Sequence, residues 1–323
     1  MQGLRWIGVV LAMFIAAVAG SASAQTYPAK TVRIILPFPP GGPSDILGRA
    51  LAQKLTEQFG QQVITDNRPG AGGNLGLELT AKAPPDGYTM VLSSPLISIS
   101  PSLYSKLNYD PQKDLAPVSL VALIQNVLLV HPSVPAKNLK ELVQVARASP
   151  GKLNYGSGGV GTTTHLAPEL LQSLTGIKMV HVPFKGSGLA LLGLISGQVD
   201  VLIMAVPAAQ AQVQAGKARA LAVLSEKRAT PMPNVPTTKE AGIDNYAVDI
   251  WYGILVPSAT PPAVINRLNT EINKALASPD LKDRLLTVGV QPLGNSPEQF
   301  AAFIRSEAVR FAKVIKDAGI KPE

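Results

Sequence analysis

The sequence predicts two α/β domains, each a mainly parallel sheet flanked by helices. Strand-like and helix-like apolar periods alternate through the first hundred residues, and a second series of the same kind starts at Val127. At 323 residues the chain also exceeds what one hydrophobic core ordinarily serves.

The extreme N-terminus stands apart from both domains. Arg5, an apolar run over 6–20 and the small-residue end Ala22-Ser23-Ala24 are the three parts of a secretory signal. Cleavage is expected after Ala24, leaving a soluble, exported chain from Gln25. The apolar run is shorter than the ~20 residues that a bilayer-spanning helix needs.

In the first domain, strands are expected at 32–38, 62–66 and 88–93, with helices at 44–59 and 74–82. This order of elements implies parallel pairing with helices on the sheet faces. Along the first helix Ile46, Leu47, Ala50, Leu51, Leu55 and Phe59 recur at helical spacing, leaving Arg49, Gln53, Lys54 and Glu57 toward water. Gly60 stops it. The second series has strands at 127–130, 153–156, 180–184, 199–204 and 218–224, with helices at 138–148, 163–174 and 188–196. The tail adds a strand at 251–256 and helices beginning near Pro261, Pro279 and Pro297. Periodicity breaks near 125 and 247, so the expected domains are 25–125 with 248–323, and 126–247.

Composition narrows the chemistry. There is no cysteine, which excludes disulfides, thiolate metal sites and a lipid anchor on a signal-peptide thiol. The net charge is +8, but Lys and Arg are scattered singly without interleaved aromatics, so no nucleic-acid partner is expected. The basic excess either draws anions diffusively or is simply a solvated surface.

The stretch FPPGGPSD at 38–45 leaves an apolar strand and starts a helix almost at once. With Gly42 as N-cap and Pro43 at the first helical position, the N–H groups of Gly41, Gly42, Ser44 and Asp45 stand beside the positive end of the helix dipole. That is a receptor for an anion, at the carboxyl end of a strand where open α/β sheets bind ligands. The plainer alternative is a capped turn whose donors Asp45 satisfies itself.

NYGSGGVGTTTH at 154–165 repeats the arrangement in the other domain. Gly156, Gly158 and Gly161 fit the dinucleotide pattern GxGxxG, but the following strand, MVHVPF, supplies no acidic partner for a ribose. An anion cradle with hydroxyls from Ser157, Thr162 and Thr163 fits better, and no cofactor is expected. Hydrogen bonds to a charged group contribute roughly 1.5–3 kcal/mol each, and micromolar binding needs about 8 kcal/mol. Four or five preformed donors therefore suffice without arginine.

Further candidates are Ser93 and Ser94 at a strand end, and Lys185, placed to meet a second carboxylate or merely solvated. His165 either donates to a ligand or caps its own helix. RPGAGG at 68–73 is either a third phosphate-type loop or a packing device. His131, His165 and His181 lack metal-ligand spacing, and there is no GxSxG or Walker motif. A binding protein fits better than an enzyme. The rival is an exported hydrolase, for which Ser157 with His165 is the pair to nominate. A cytoplasmic effector-sensing domain would need a DNA-binding segment where this chain has a signal.

The stretches YPAKTVRIILPFPPGGPSD, DNRPGAGGN, PPDGYTMVLSS, LNYDPQKDLAPVSLVA, PGKLNYGSGGVGTTTHLAPEL, HVPFKG, GQVD, AGKARALAV, NVPTTKEAG and VIKDAGIK, in this order, resemble the Bug family of periplasmic solute-binding proteins. These are the receptors of tripartite tricarboxylate transporters. The resemblance implies a two-domain type II periplasmic binding fold that closes a central cleft around a small organic acid and hands it to a membrane permease. It implies a periplasmic monomer that grips one carboxylate, partly through ordered waters, between two loops. Carried onto this chain, these are Phe38, Pro40, Gly41, Gly42, Ser44 and Asp45 on one side, and Ser157, Gly159, Thr162, Thr163 and His165 on the other, with Ser93 and Ser94 nearby. Many relatives carry an aspartate near Met204, where this chain reads VLIMAVPAA. Its absence argues against an amino-acid ligand. Met204 and Ala205 favour an acid with an apolar or aromatic body, on which Phe38 packs.

Overall fold

The computed structural model describes residues 27–317 and 319–320. The expected leader and its cleavage point lie outside them. The strands form two sheets. The first has the order β11-β4-β10-β3-β1-β2, from β1 (Val32–Leu36), β2 (Val63–Asn67), β3 (Thr89–Ser93), β4 (Leu115–Ile124), β10 (Ile250–Pro257) and β11 (Val290–Pro292). The second has the order β7-β6-β8-β5-β9, from β5 (Asn126–Val130), β6 (Asn154–Ser157), β7 (Val180–Pro183), β8 (Val201–Ala205) and β9 (Arg219–Val223).

Most strands in each sheet share one direction. β1 is parallel to β2 and β3, and β6 is parallel to β7 and β8. The reversed strands are β10 and β11 in the first sheet and β5 in the second. Reversal results from the path of the chain: only Gln125 separates β4 from β5, so the backbone passes directly from one sheet into the other. It returns through an irregular segment to β10, which slots between β3 and β4.

The first sheet is flanked by α1 (Pro43–Phe59), α2 (Asn74–Ala81) and α3 (Leu96–Leu103). The second carries α4 (Leu139–Ala148), α5 (Thr163–Thr175), α6 (Ser187–Ile195) and α7 (Val206–Gln214). The tail adds α8 (Pro262–Ala277), α9 (Pro279–Thr287) and α10 (Pro297–Asp317) to the first sheet. β1 illustrates the packing. Ile34 and Leu36 bury against Leu47, Leu51 and Leu55 of α1, while Ile35 points to the opposite face, toward Trp251 and Phe300. α1 begins and ends as its sequence requires, with Gly42 as N-cap, Pro43 in the first turn, and Gly60 left-handed with its N–H on Thr56 O.

Several elements escape sequence reading. β4 is buried on both faces along much of its length, so it lacks alternation, and it contains Pro117. α3 carries Pro101 and three serines, and α7 follows β8 with no intervening turn residue. α3 is also a bridge between the two halves of the molecule. With α5 and α10 it forms a separate cluster in which Ile99, Leu103, Leu166, Phe311 and Ile315 pack together.

Candidate ligand-binding site

A cavity of about 530 Å³ lies between the halves, within the ~300–1,000 Å³ usual for small-molecule sites. From the first half come Phe38, Pro40, Gly41, Gly42 and Ser44, together with Ser94, Leu96 and Ile99. From the second come Thr162, Thr163, Thr164, the stretch from Lys185 to Leu189, Met204 and Ala205. Ile250 and Tyr252 of β10 complete the wall.

Three helices point their N-termini at this space: α1 with Gly42 and Ser44, α5 with Thr163 and Thr164, and α6 with Ser187 and Gly188. Among the described residues, none of these six backbone N–H groups has an intramolecular acceptor. Ser44 and Thr163 are buried residues, 2% and 7% exposed, and their hydroxyls are likewise unpartnered. Their oxygens are not among the sealed-off buried atoms, and both residues line the cavity. Lys185 is the one charged residue in the described lining, and no acidic side chain reaches it. Converging helix dipoles, free amides and one ammonium make this a site for an anion.

The structure divides the expected donor set between the cavity wall and the layer behind it. Asp45, Ser93, Ser157, Gly159 and His165 do not line the cavity. Gly41 N–H donates to Asp45 Oδ2 at 3.1 Å, and that carboxylate also accepts from Arg49 Nε and Asn67 Nδ2. Burial alone would raise the Asp45 pKa, but these hydrogen bonds and the Arg49 charge bring it below the ordinary value. The self-satisfied turn considered for Asp45 therefore holds for one amide, while Gly42 and Ser44 stay open. Ser93 Oγ donates to the Ser94 carbonyl.

In the second loop the glycine amides are held by its own side chains. Gly158 N–H donates to Thr164 Oγ1 at 2.9 Å, Gly159 N–H to Ser157 Oγ at 3.1 Å and Gly161 N–H to His165 Nδ1 at 3.2 Å. Ser157 Oγ lies 2.6 Å from His181 Nε2. Tyr155, His181 and His165 stack in sequence, with centroids 4.9 and 4.1 Å apart, and Tyr155 donates to Glu169. Burial pushes both imidazoles down to about 4, with the neighbouring His181 adding to the shift on His165. The Ser157–His165 pair nominated for a hydrolase is thus not formed: His165 serves Gly161, and fully buried Ser157 faces His181.

The remaining assignments divide. Phe38, Pro40, Ser94, Thr162, Lys185, Met204 and Ala205 all reach the cavity, and of the 68–73 loop only Gly72 does. Sequence reasoning missed Leu96, Ile99, Leu189, Leu191, Ile250 and Tyr252. A helix at 188–196 was expected, but which of its leucines face a ligand depends on the opposing half. No His, Asp or Glu cluster suited to a metal occurs among the described residues, and none of their helices is long and apolar enough to cross a membrane.

The architecture is the two-domain type II periplasmic binding protein fold, with an anion-ready cleft between its domains. BugT of Bordetella pertussis is 38% identical over 320 residues, 98% of this chain and 98% of its own. R. palustris Rpa4515 with adipate superposes with a TM-score of 0.87 at 36% identity, covering 92% of this chain and all of its own. MatC from Rhodopseudomonas palustris with bound malate gives a TM-score of 0.81 at 30% identity, covering 90% of this chain and all of its own. The model of the tripartite tricarboxylate transporter family receptor matches residues 47–320, and the chain belongs to that family.

Proposed function

We propose that this protein is a periplasmic receptor that captures a small mono- or dicarboxylate between its domains and presents it to a permease of the tripartite tricarboxylate type. The observation that carries this reading is the convergence of three helix N-termini, with open amides and hydroxyls, on a cavity without a lining acid. Relatives in the same family hold adipate and malate, both acids of the expected kind. One carboxylate sits between Gly42 and Ser44 on one side and Thr163, Thr164, Ser187 and Gly188 on the other, with Lys185 at its edge. Asp45, Ser157, Gly159 and His165 act one step back, holding the two loops in shape. Ser93 supports Ser94 in the same way.

The hinged units in this reading are 25–125 with 248–323, and 126–247, joined at Gln125 and near Val248. In this reading the receptor works as a monomer. The protein transports and does not catalyse, and its leader is removed after Ala24. Calorimetric titration with a panel of organic acids tests the function. Micromolar or tighter binding to a carboxylate supports it; heat only with neutral sugars or amines refutes it. Gly42 has ordinary φ, and an added Cβ would meet only the Pro39 carbonyl oxygen, at an ordinary contact distance of 3.9 Å. Gly42→Leu is therefore expected to fold normally and weaken carboxylate binding at least tenfold, about 1.4 kcal/mol.

A further inference from the structure

Buried tyrosines in this protein spend their hydroxyls internally, with one exception. Tyr109 donates to Asn74 Oδ1 at 2.8 Å, Tyr246 to Ala167 O at 2.9 Å and Tyr155 to Glu169. Tyr252 is only 5% exposed, yet its hydroxyl makes no hydrogen bond among the described residues. Nor is that oxygen sealed inside the protein: Tyr252 lines the ligand cavity, and its hydroxyl is absent from the atoms buried without a partner. A desolvated hydroxyl left unpaired is unfavourable unless the cavity's occupant completes it.

Its surroundings define what that occupant offers. Ile250 precedes it on β10, and Met204, Ala205 and Ala208 of the second domain line the same wall; none carries a side-chain hydrogen-bonding group stronger than a thioether. Ala205 packs in the same core cluster as Tyr252. Burial raises the phenol pKa, so the group stays a neutral donor. The donors at the N-termini of α1, α5 and α6 stand on other elements.

We propose that Tyr252 is a specificity-determining residue whose hydroxyl receives a second oxygen-bearing group of the ligand, making this a receptor for bifunctional acids with a short apolar body. This rests on the carboxylate reading above and narrows it. A plain alkyl monocarboxylate leaves Tyr252 unpaired, and a site built to bond a polar group discriminates against the analogue that lacks it.

Straight-chain dicarboxylates of four to eight carbons, each matched with the monocarboxylate of equal length, provide the test by titration calorimetry on the mature chain. The wild type is expected to favour the dicarboxylate by about tenfold or more at its best length. Tyr252→Phe is expected to abolish that preference by weakening the dicarboxylate alone, with an unchanged melting temperature as evidence of folding. Ser44→Ala is expected to weaken both members of the pair. Equal wild-type affinity for the two members at every length, or a Tyr252→Phe variant with undiminished preference, overturns the inference and leaves the carboxylate function standing. Silence of the wild type toward every acid overturns both.

Discussion

His165 and His181 lie stacked beneath the second loop, and their neutrality is part of its structure. His165 Nδ1 accepts the Gly161 N–H, and a protonated imidazole has no lone pair to do so. Both rings sit at about 4 in the folded protein, against ~6.5 for an unperturbed histidine. Between these values the unfolded chain binds more protons than the folded one, so stability is full above pH ~6.5 and falls as pH drops toward 4. Chemical denaturation of wild type and His181→Gln across that window is expected to give a shallower slope for the variant; parallel curves would contradict the assignment.

Lys185 is exposed, and no salt bridge reaches it among the described residues. Lys185→Gln is expected to slow carboxylate association, weaken affinity by about three- to tenfold and flatten its dependence on salt. Stopped-flow binding at two ionic strengths measures this directly. At this scale the sequence reveals whatever chemistry is local: Gly42 and Pro43 announce a helix start because capping involves neighbours. The contact of Ser157 with His181 was not legible, since it depends on β6 and β7 pairing in a register that puts Tyr155 opposite His181. The unpaired Tyr252 hydroxyl was hidden for a similar reason, because nothing local says where β10 inserts.

Among the elements, α3 joins the two halves more directly than its sequence advertises. Its Leu103 meets the glycine loop of the opposite domain so closely that a Cβ on Gly161 would lie 2.1 Å from Leu103 Cδ2. Gly161 also has φ +74°, a backbone conformation that is costly for other residues. Gly161→Ala is therefore expected to destabilise the protein by about 1–3 kcal/mol and to weaken ligand binding by displacing Thr162 and Thr163. Denaturant titration and calorimetry on the same preparation check both effects. The helices that aim their N-termini at the ligand were legible as elements, each following a strand through a glycine-rich turn. The convergence of α1 and α5 came from the family resemblance alone, and that of α6 was not expected, because it depends on α3, β4 and the returning β10.

For the whole molecule, a ligand held by both domains stabilises the closed arrangement. At a ligand concentration of 100 times Kd, linkage adds about 2.7 kcal/mol to folding. Thermal melts are expected to shift upward with a bound dicarboxylate and to remain unmoved by a neutral sugar. The strand order carries a separate consequence. All strands of the second sheet fall within 126–223, whereas the first sheet leaves a vacant lane between β3 and β4 until residues 250–257 fill it. Pairing across so wide a sequence gap is slow. A nascent chain can thus complete its later-encoded half first, and the earlier half must wait, its edges open, for the ribosome to deliver the missing piece.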